Sequence, residues 1–190
     1  MTPALIIPGL NGSPEGHWQS WLQESLPQAR RVEQDDWDTP DLEAWLLRFA
    51  LATVATPGAI IVAHSLGCIL TAHAASRFSE LPIRAALLVA PADVDSPAHT
   101  PELLRSFAPI PTARLPFPSI VVASVNDPFM TLVHARDLAT AWGSDFVNAG
   151  TAGHINIASG YGPWPAVLDM FDGLTTAAER AWPQPFRRSG

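Results

Sequence analysis

Short apolar runs alternate with amphipathic stretches along the whole chain, the pattern of βα units wound on a mostly parallel sheet. Six runs read as strands: Ala4 to Ile7, Ala29 to Val32, Ala59 to Ala63, Ala85 to Ala90, Ser119 to Ser124 and Asp145 to Asn148. The third, fourth and fifth are continuously apolar, as strands covered on both faces must be. Between them apolar residues recur at helical spacing: Trp18, Trp21, Leu22 and Leu26, then Leu42, Trp45, Leu46 and Phe49. Thr39 and Pro40 read as the N-cap and first residue of the second of these. Further helices are expected over Ile69 to Arg77, over Thr131 to Trp142, and on the spacing of Trp164, Val167, Leu168 and Phe171. The tryptophans read as core, except that Trp164, ten residues past His154, is expected nearest any site.

One segment breaks the rhythm. Pro91 to Pro118 holds seven of the 19 prolines and room for one short helix around Glu102 to Phe107. Proline restricts φ and removes donors, so a pinned irregular loop over the sheet edge is expected. The chain has no repeat and no interdomain linker, and reads as a single domain over residues 1–180 with a flexible tail over 181–190.

Composition narrows the chemistry. At 190 residues, 47% hydrophobic and 15% charged, the chain can bury a core without disulfides or metal, and has no room for a second domain or a folded lid. All 11 basic residues are Arg; with no Lys there is no Schiff base, no P-loop lysine and no Ser-Lys dyad. The net charge of −7, with scattered arginines and no basic stripe, argues against nucleic acid. Cys68 stands alone, which excludes an internal disulfide and fits a reducing compartment. No apolar run reaches the roughly 18 residues a membrane span needs, and the N-terminus lacks a basic leader, so a cytoplasmic protein without membrane contact is expected.

The strongest chemical signal is Val62-Ala63-His64-Ser65-Leu66-Gly67-Cys68, between an apolar strand and a helical pattern. That is the setting of a G-x-S-x-G nucleophile elbow with Ala63 in place of the first glycine. Small residues two positions to either side let the chain reverse sharply and the helix pack close to its strand. Ser65 is the candidate nucleophile. In such a fold an acid and then a histidine should follow in chain order, each after a strand. Ser124-Val125-Asn126-Asp127-Pro128-Phe129 places Asp127 after the fifth strand, held extended by the following proline. The glycine-bounded Ala149-Gly150-Thr151-Ala152-Gly153-His154 places His154 after the sixth.

Other assignments compete. Asp93 and Asp95 follow the fourth strand and are alternative acids. His64 is expected to point from the wrong side of the elbow to serve its neighbour, while His73, His99 and His134 read as core or surface residues. His17 closes the loop after the first strand and is expected to border the site. No pair of histidines has metal-site spacing and company, so neither metal nor cofactor is expected. The loop from Pro8 to Gly16 fails as a phosphate cradle, having no G-x-G-x-x-G and no Lys. It fits as an oxyanion loop, with the amide of Leu10, or alternatively of Asn11, joining that of Leu66.

These motifs, with Gly153-His154-Ile155-Asn156 and Ser159-Gly160-Tyr161-Gly162-Pro163-Trp164-Pro165, resemble the small serine hydrolases of the α/β-hydrolase superfamily similar to retinoblastoma-binding protein 9 and the bacterial YdeN-type proteins. The resemblance implies an α/β-hydrolase-like three-layer sandwich without a cap domain, and the triad Ser65, Asp127, His154. The retinoblastoma-binding L-x-C-x-E motif is missing, since Leu70 stands where its acid would be. The combined expectation is hydrolysis of a small-molecule ester, thioester or amide, with Asn11, His17 and Trp164 near the substrate. Acyl transfer or peptide cleavage with the same triad, or protein binding on a hydrolase fold with little turnover, are the alternatives.

Overall fold

The structure is a computed structural model that describes residues 2–181. The tail expected over 181–190 falls outside the described residues, except for Ala181 at the end of the last helix. Six strands form one sheet: β1 (Ala4–Ile7), β2 (Ala29–Arg31), β3 (Ala59–His64), β4 (Ile83–Val89), β5 (Ser119–Ala123) and β6 (Asp145–Asn148), in the order β2-β1-β3-β4-β5-β6. Every pairing is parallel. The helices are α1 (Trp18–Ser25), α2 (Leu42–Ala55), α3 (Leu66–Arg77), α4 (Leu132–Trp142) and α5 (Ala166–Ala181).

Strand side chains alternate between two buried layers. Leu5, Ile7, Ile61, Ala86, Leu88 and Val121 meet α2, α3 and α4 on one face. Ala4, Ile6, Ile60, Val62, Leu87 and Val122 meet α1 and α5 on the other. The result is the three-layer arrangement, with no cap over the strand ends among the described residues. From β1 the chain winds first towards β2 and then back past β1 to β3. The chain therefore leaves the adjacent strands β1 and β3 towards opposite faces, with α1 on one and α3 on the other, the arrangement that places a site at the carboxyl ends of the strands.

Two expectations need correction. Residues 91–118 do not simply cap the sheet edge: Leu104, Phe107, Ile110, Leu115 and Phe117 are buried in the α2–α4 layer. β4 and β5 are adjacent interior strands, so their parallel connection has to cross a face. Here a 3-10 turn (Glu102–Phe107) stands in for a crossover helix. The N-cap of α2 is Asp41, not Thr39; its carboxylate accepts from the amide of Ala44, while Thr39 is engaged by the carboxylate of Asp36.

Candidate active site

β3 ends at His64, and the chain reverses through Ser65 into α3. Ser65 has φ 54° and ψ −120°, a conformation that L-residues rarely adopt and that projects the side chain from a tight turn. The reversal depends on missing side chains. A Cβ on Gly67 would lie 2.3 Å from the carbonyl oxygen of Ile7 and 2.7 Å from that of Pro8. One on Gly9 would lie 2.9 Å from the Cβ of Ser65. The loop after β1 and the elbow thus approach at backbone contact, as the two glycine positions require.

Two loops bring the acid and the imidazole to this point. Between the turns that follow β5, the amide of Phe129 donates to Asp127 Oδ1 at 2.9 Å. The side chain of Asn126 ties this loop to the next one by accepting from the amide of Gly153 at 2.8 Å. His154 Nδ1 lies 2.9 and 3.0 Å from the Asp127 carboxylate oxygens, and its Nε2 lies 2.9 Å from Ser65 Oγ. A carboxylate only accepts, so Nδ1 carries the proton and Nε2 presents its lone pair to the serine hydroxyl. The side chains of His154 and Asp127 are 8% and 2% exposed, so the relay is shielded from water.

The other acidic candidates are engaged elsewhere. Asp93 pairs with Nδ1 of His134 at 3.0 Å, and Asp95 accepts from the amide of Ile110. His73 donates to the carbonyl of Phe107 and His99 to that of Pro128. His64 is not aimed at its neighbour Ser65; its Nε2 donates to the carbonyl of His154 at 2.9 Å.

Leu10 and Leu66 each occupy the first position of a helical turn, where the amide has no intrahelical acceptor. Of the two candidate amides in this loop, that of Asn11 is taken by the carbonyl of Trp37 at 3.1 Å. A cavity of about 380 Å³ opens over Ser65, and Leu10, Asn11, His17 and Phe129 are among its walls. None of its lining residues is Asp, Glu or Arg. His17 and His64 are held neutral. Burial, then Arg31 and His154, lowers the pKa of His17 to about 4. Burial, then His154 and His17, drives that of His64 well below its usual value. Trp164 does not line the cavity; its ring packs edge-on against Trp18 and Tyr161, behind the site. Among the described residues no cluster of His, Cys, Asp or Glu could hold a metal ion, and no helix is long and apolar enough to cross a membrane.

A family model described as serine hydrolase matches residues 4–173. The chain belongs to the serine hydrolase family. This hydrolase is similar to a protein described as a YdeN-like hydrolase from Pectobacterium atrosepticum, with 33% identity, TM-score 0.77, and coverage of 94% of this chain and 90% of that one. It also resembles the ydeN gene product of B. subtilis, at 22% identity and TM-score 0.76, over 93% of this chain and all of that one (100%). Est1E from Butyrivibrio proteoclasticus shares the fold at 16% identity and TM-score 0.68, over 92% and 89% of the two chains. A comparison with curated proteins gave no match.

Three residues of the hydrolase's site escaped the sequence reading. Phe129 sets its ring 4.6 Å from that of His154, and its place directly after Asp127-Pro128 was the available signal. The spacing of Trp18 signals only core, although a buried indole N–H needs a partner. His64 stands beside Ser65 in sequence, whereas its partner lies ninety positions on.

Proposed function

We propose that this serine hydrolase cleaves small ester, thioester or amide substrates through Ser65, His154 and Asp127, by way of an acyl-enzyme. The observation that carries the reading is His154, bonded at 2.9 Å both to Ser65 Oγ and to the Asp127 carboxylate. Ser65 Oγ attacks the substrate carbonyl carbon while its proton passes to Nε2 of His154. The Asp127 carboxylate holds the ring in this tautomer and stabilises the imidazolium. The amides of Leu66 and Leu10 receive the oxyanion. Collapse breaks the bond to the leaving group, which takes the proton from His154. Water then gives a proton to His154 and attacks the acyl carbon, and the carboxylic acid leaves as Ser65 is reprotonated.

The neutrality of His17 and His64 matters to this sequence, because either as a cation would oppose the positive charge forming on His154. The uncharged cavity favours an uncharged acyl group, with Asn11 and His17 in contact with the substrate. Trp164 is assigned no such contact.

A fluorophosphonate probe tests the assignment. Wild-type protein should label and Ser65→Ala should not; labelling that persists in the variant would remove Ser65 from the mechanism. An acyl-enzyme burst with a short activated ester separates an enzyme from a binding protein that keeps the fold. Product analysis with competing amines separates hydrolysis from acyl transfer.

A further inference from the structure

His154 stands on a backbone that its own sequence would not select. Gly153 has φ 55° and Ile155 has φ 49°. For a β-branched residue such as Ile155 the left-handed region is an outlier, sustained only where the surroundings over-determine it. Two of the bonds that hold this turn come from far away in the chain. His64 Nε2–H donates to the carbonyl of His154 at 2.9 Å, and Trp18 Nε1–H donates to the carbonyl of Ile155 at 2.9 Å. Two successive carbonyls are thus gripped by two buried rings, which themselves meet edge-on with centroids 5.9 Å apart. From the other side Ser159 Oγ accepts from the amide of His154 at 3.1 Å.

We propose that His64 and Trp18 are positioning residues, a two-point clamp that holds the strained His154–Ile155 turn and sets the distance between His154 Nε2 and Ser65 Oγ. The inference rests on the reading of Ser65 and His154 as nucleophile and base. His64 is bonded covalently to Ser65 and by hydrogen bond to the backbone of His154, whose ring returns to Ser65 Oγ. These links close a short ring, so any slackness in one of them appears directly in the nucleophile–base distance. The carbonyl of His154 can only accept, so neutral His64 carries its proton on Nε2, the tautomer the clamp uses. The two peptide planes that flank His154 are held by His64 at its carbonyl and by Ser159 at its amide, and Trp18 fixes the next plane along.

Trp18→Phe keeps a ring but deletes the N–H, and His64→Phe does the same at the second point, while His64→Gln keeps a donor at similar reach. With p-nitrophenyl butyrate, Trp18→Phe and His64→Phe should each lower kcat by about 10- to 100-fold, the scale of a misplaced catalytic group. KM should stay within about threefold, fluorophosphonate labelling should slow in proportion, and His64→Gln should recover much of the rate. If His64→Phe does not fold, Trp18→Phe carries the test by itself. A folded Trp18→Phe with kcat within twofold of wild type would overturn the clamp, as would His64→Gln no faster than a folded His64→Phe. Ser65→Ala keeps the two readings apart. Labelling that survives there removes the nucleophile, whereas labelling lost there beside full-rate clamp variants removes the clamp alone.

Discussion

The residue with most at stake is Ser65, because the conformation that exposes its hydroxyl works against the fold. At φ 54° and ψ −120° its Cβ stands in a region open mainly to glycine. Ser65 makes no capping bond at the N-terminus of α3, although serine is among the residues best suited to that position. The side chain thus serves the site and not the helix. Ser65→Gly should therefore abolish turnover and yet stabilise the protein, by about 1 kcal/mol, the lower end of what such a backbone strain costs. Urea unfolding of the two proteins measures this directly; a Ser65→Gly variant with a lower midpoint would show that the turn is not strained. The opposite case is Gly67, where any Cβ meets the backbone of β1, so there the smallest residue is required by packing.

At the scale of elements, the continuous apolar runs made the strands legible. β1 and β6 end at the residues the pattern indicates, and the others differ by one or two positions. α3 begins at Leu66, three residues before the apolar periodicity reveals it, because its first turn is the elbow itself. Ser65, Asp127 and His154, which the structure brings together, were legible because each follows a strand and carries a local signature. The bond from His64 to His154 was not legible, since it depends on how β3 and the β6 loop meet in space. The start of α2 shows how two local signals compete. Thr39 with Pro40 is the N-cap the sequence predicts, yet the cap forms two residues later at Asp41. Asp36 decides the outcome: its carboxylate accepts from the amides of Asp38 and Thr39 and engages the Thr39 hydroxyl, which leaves Asp41 to accept from Ala44 at 2.9 Å. Asp41→Ala should lower stability by about 1 kcal/mol in urea, the usual value of a cap. Thr39→Ala should cost clearly less; the reverse ranking would return the cap to Thr39.

Across the whole molecule, the sheet order gathers histidines that the sequence scatters. His17 follows the loop after β1, His64 ends β3 and His154 follows β6, yet the rings of His17 and His64, and of His64 and His154, lie 4.9 Å apart. Burial keeps the first two neutral in the native state: His17 has its pKa lowered to about 4 and His64 well below its usual value. In the unfolded chain both would ionise near the ordinary histidine value of about 6.5. As pH falls below that value the unfolded state takes up protons that the folded state refuses, so acid favours unfolding. Their neutral burial therefore carries no such penalty above about pH 6.5, and the loss grows as the pH falls towards 4, where His17 by itself accounts for about 3 kcal/mol. Carboxylates also titrate towards the lower end of this range, so the decisive measurement is a difference. Urea midpoints of wild type and His17→Gln, compared from pH 7.5 to pH 4.5, should show the variant losing less stability on acidification, because glutamine cannot take up the proton. Parallel curves for the two proteins would mean that His17 does not resist protonation in the fold, and would remove one of the two neutral neighbours that the imidazolium of His154 needs.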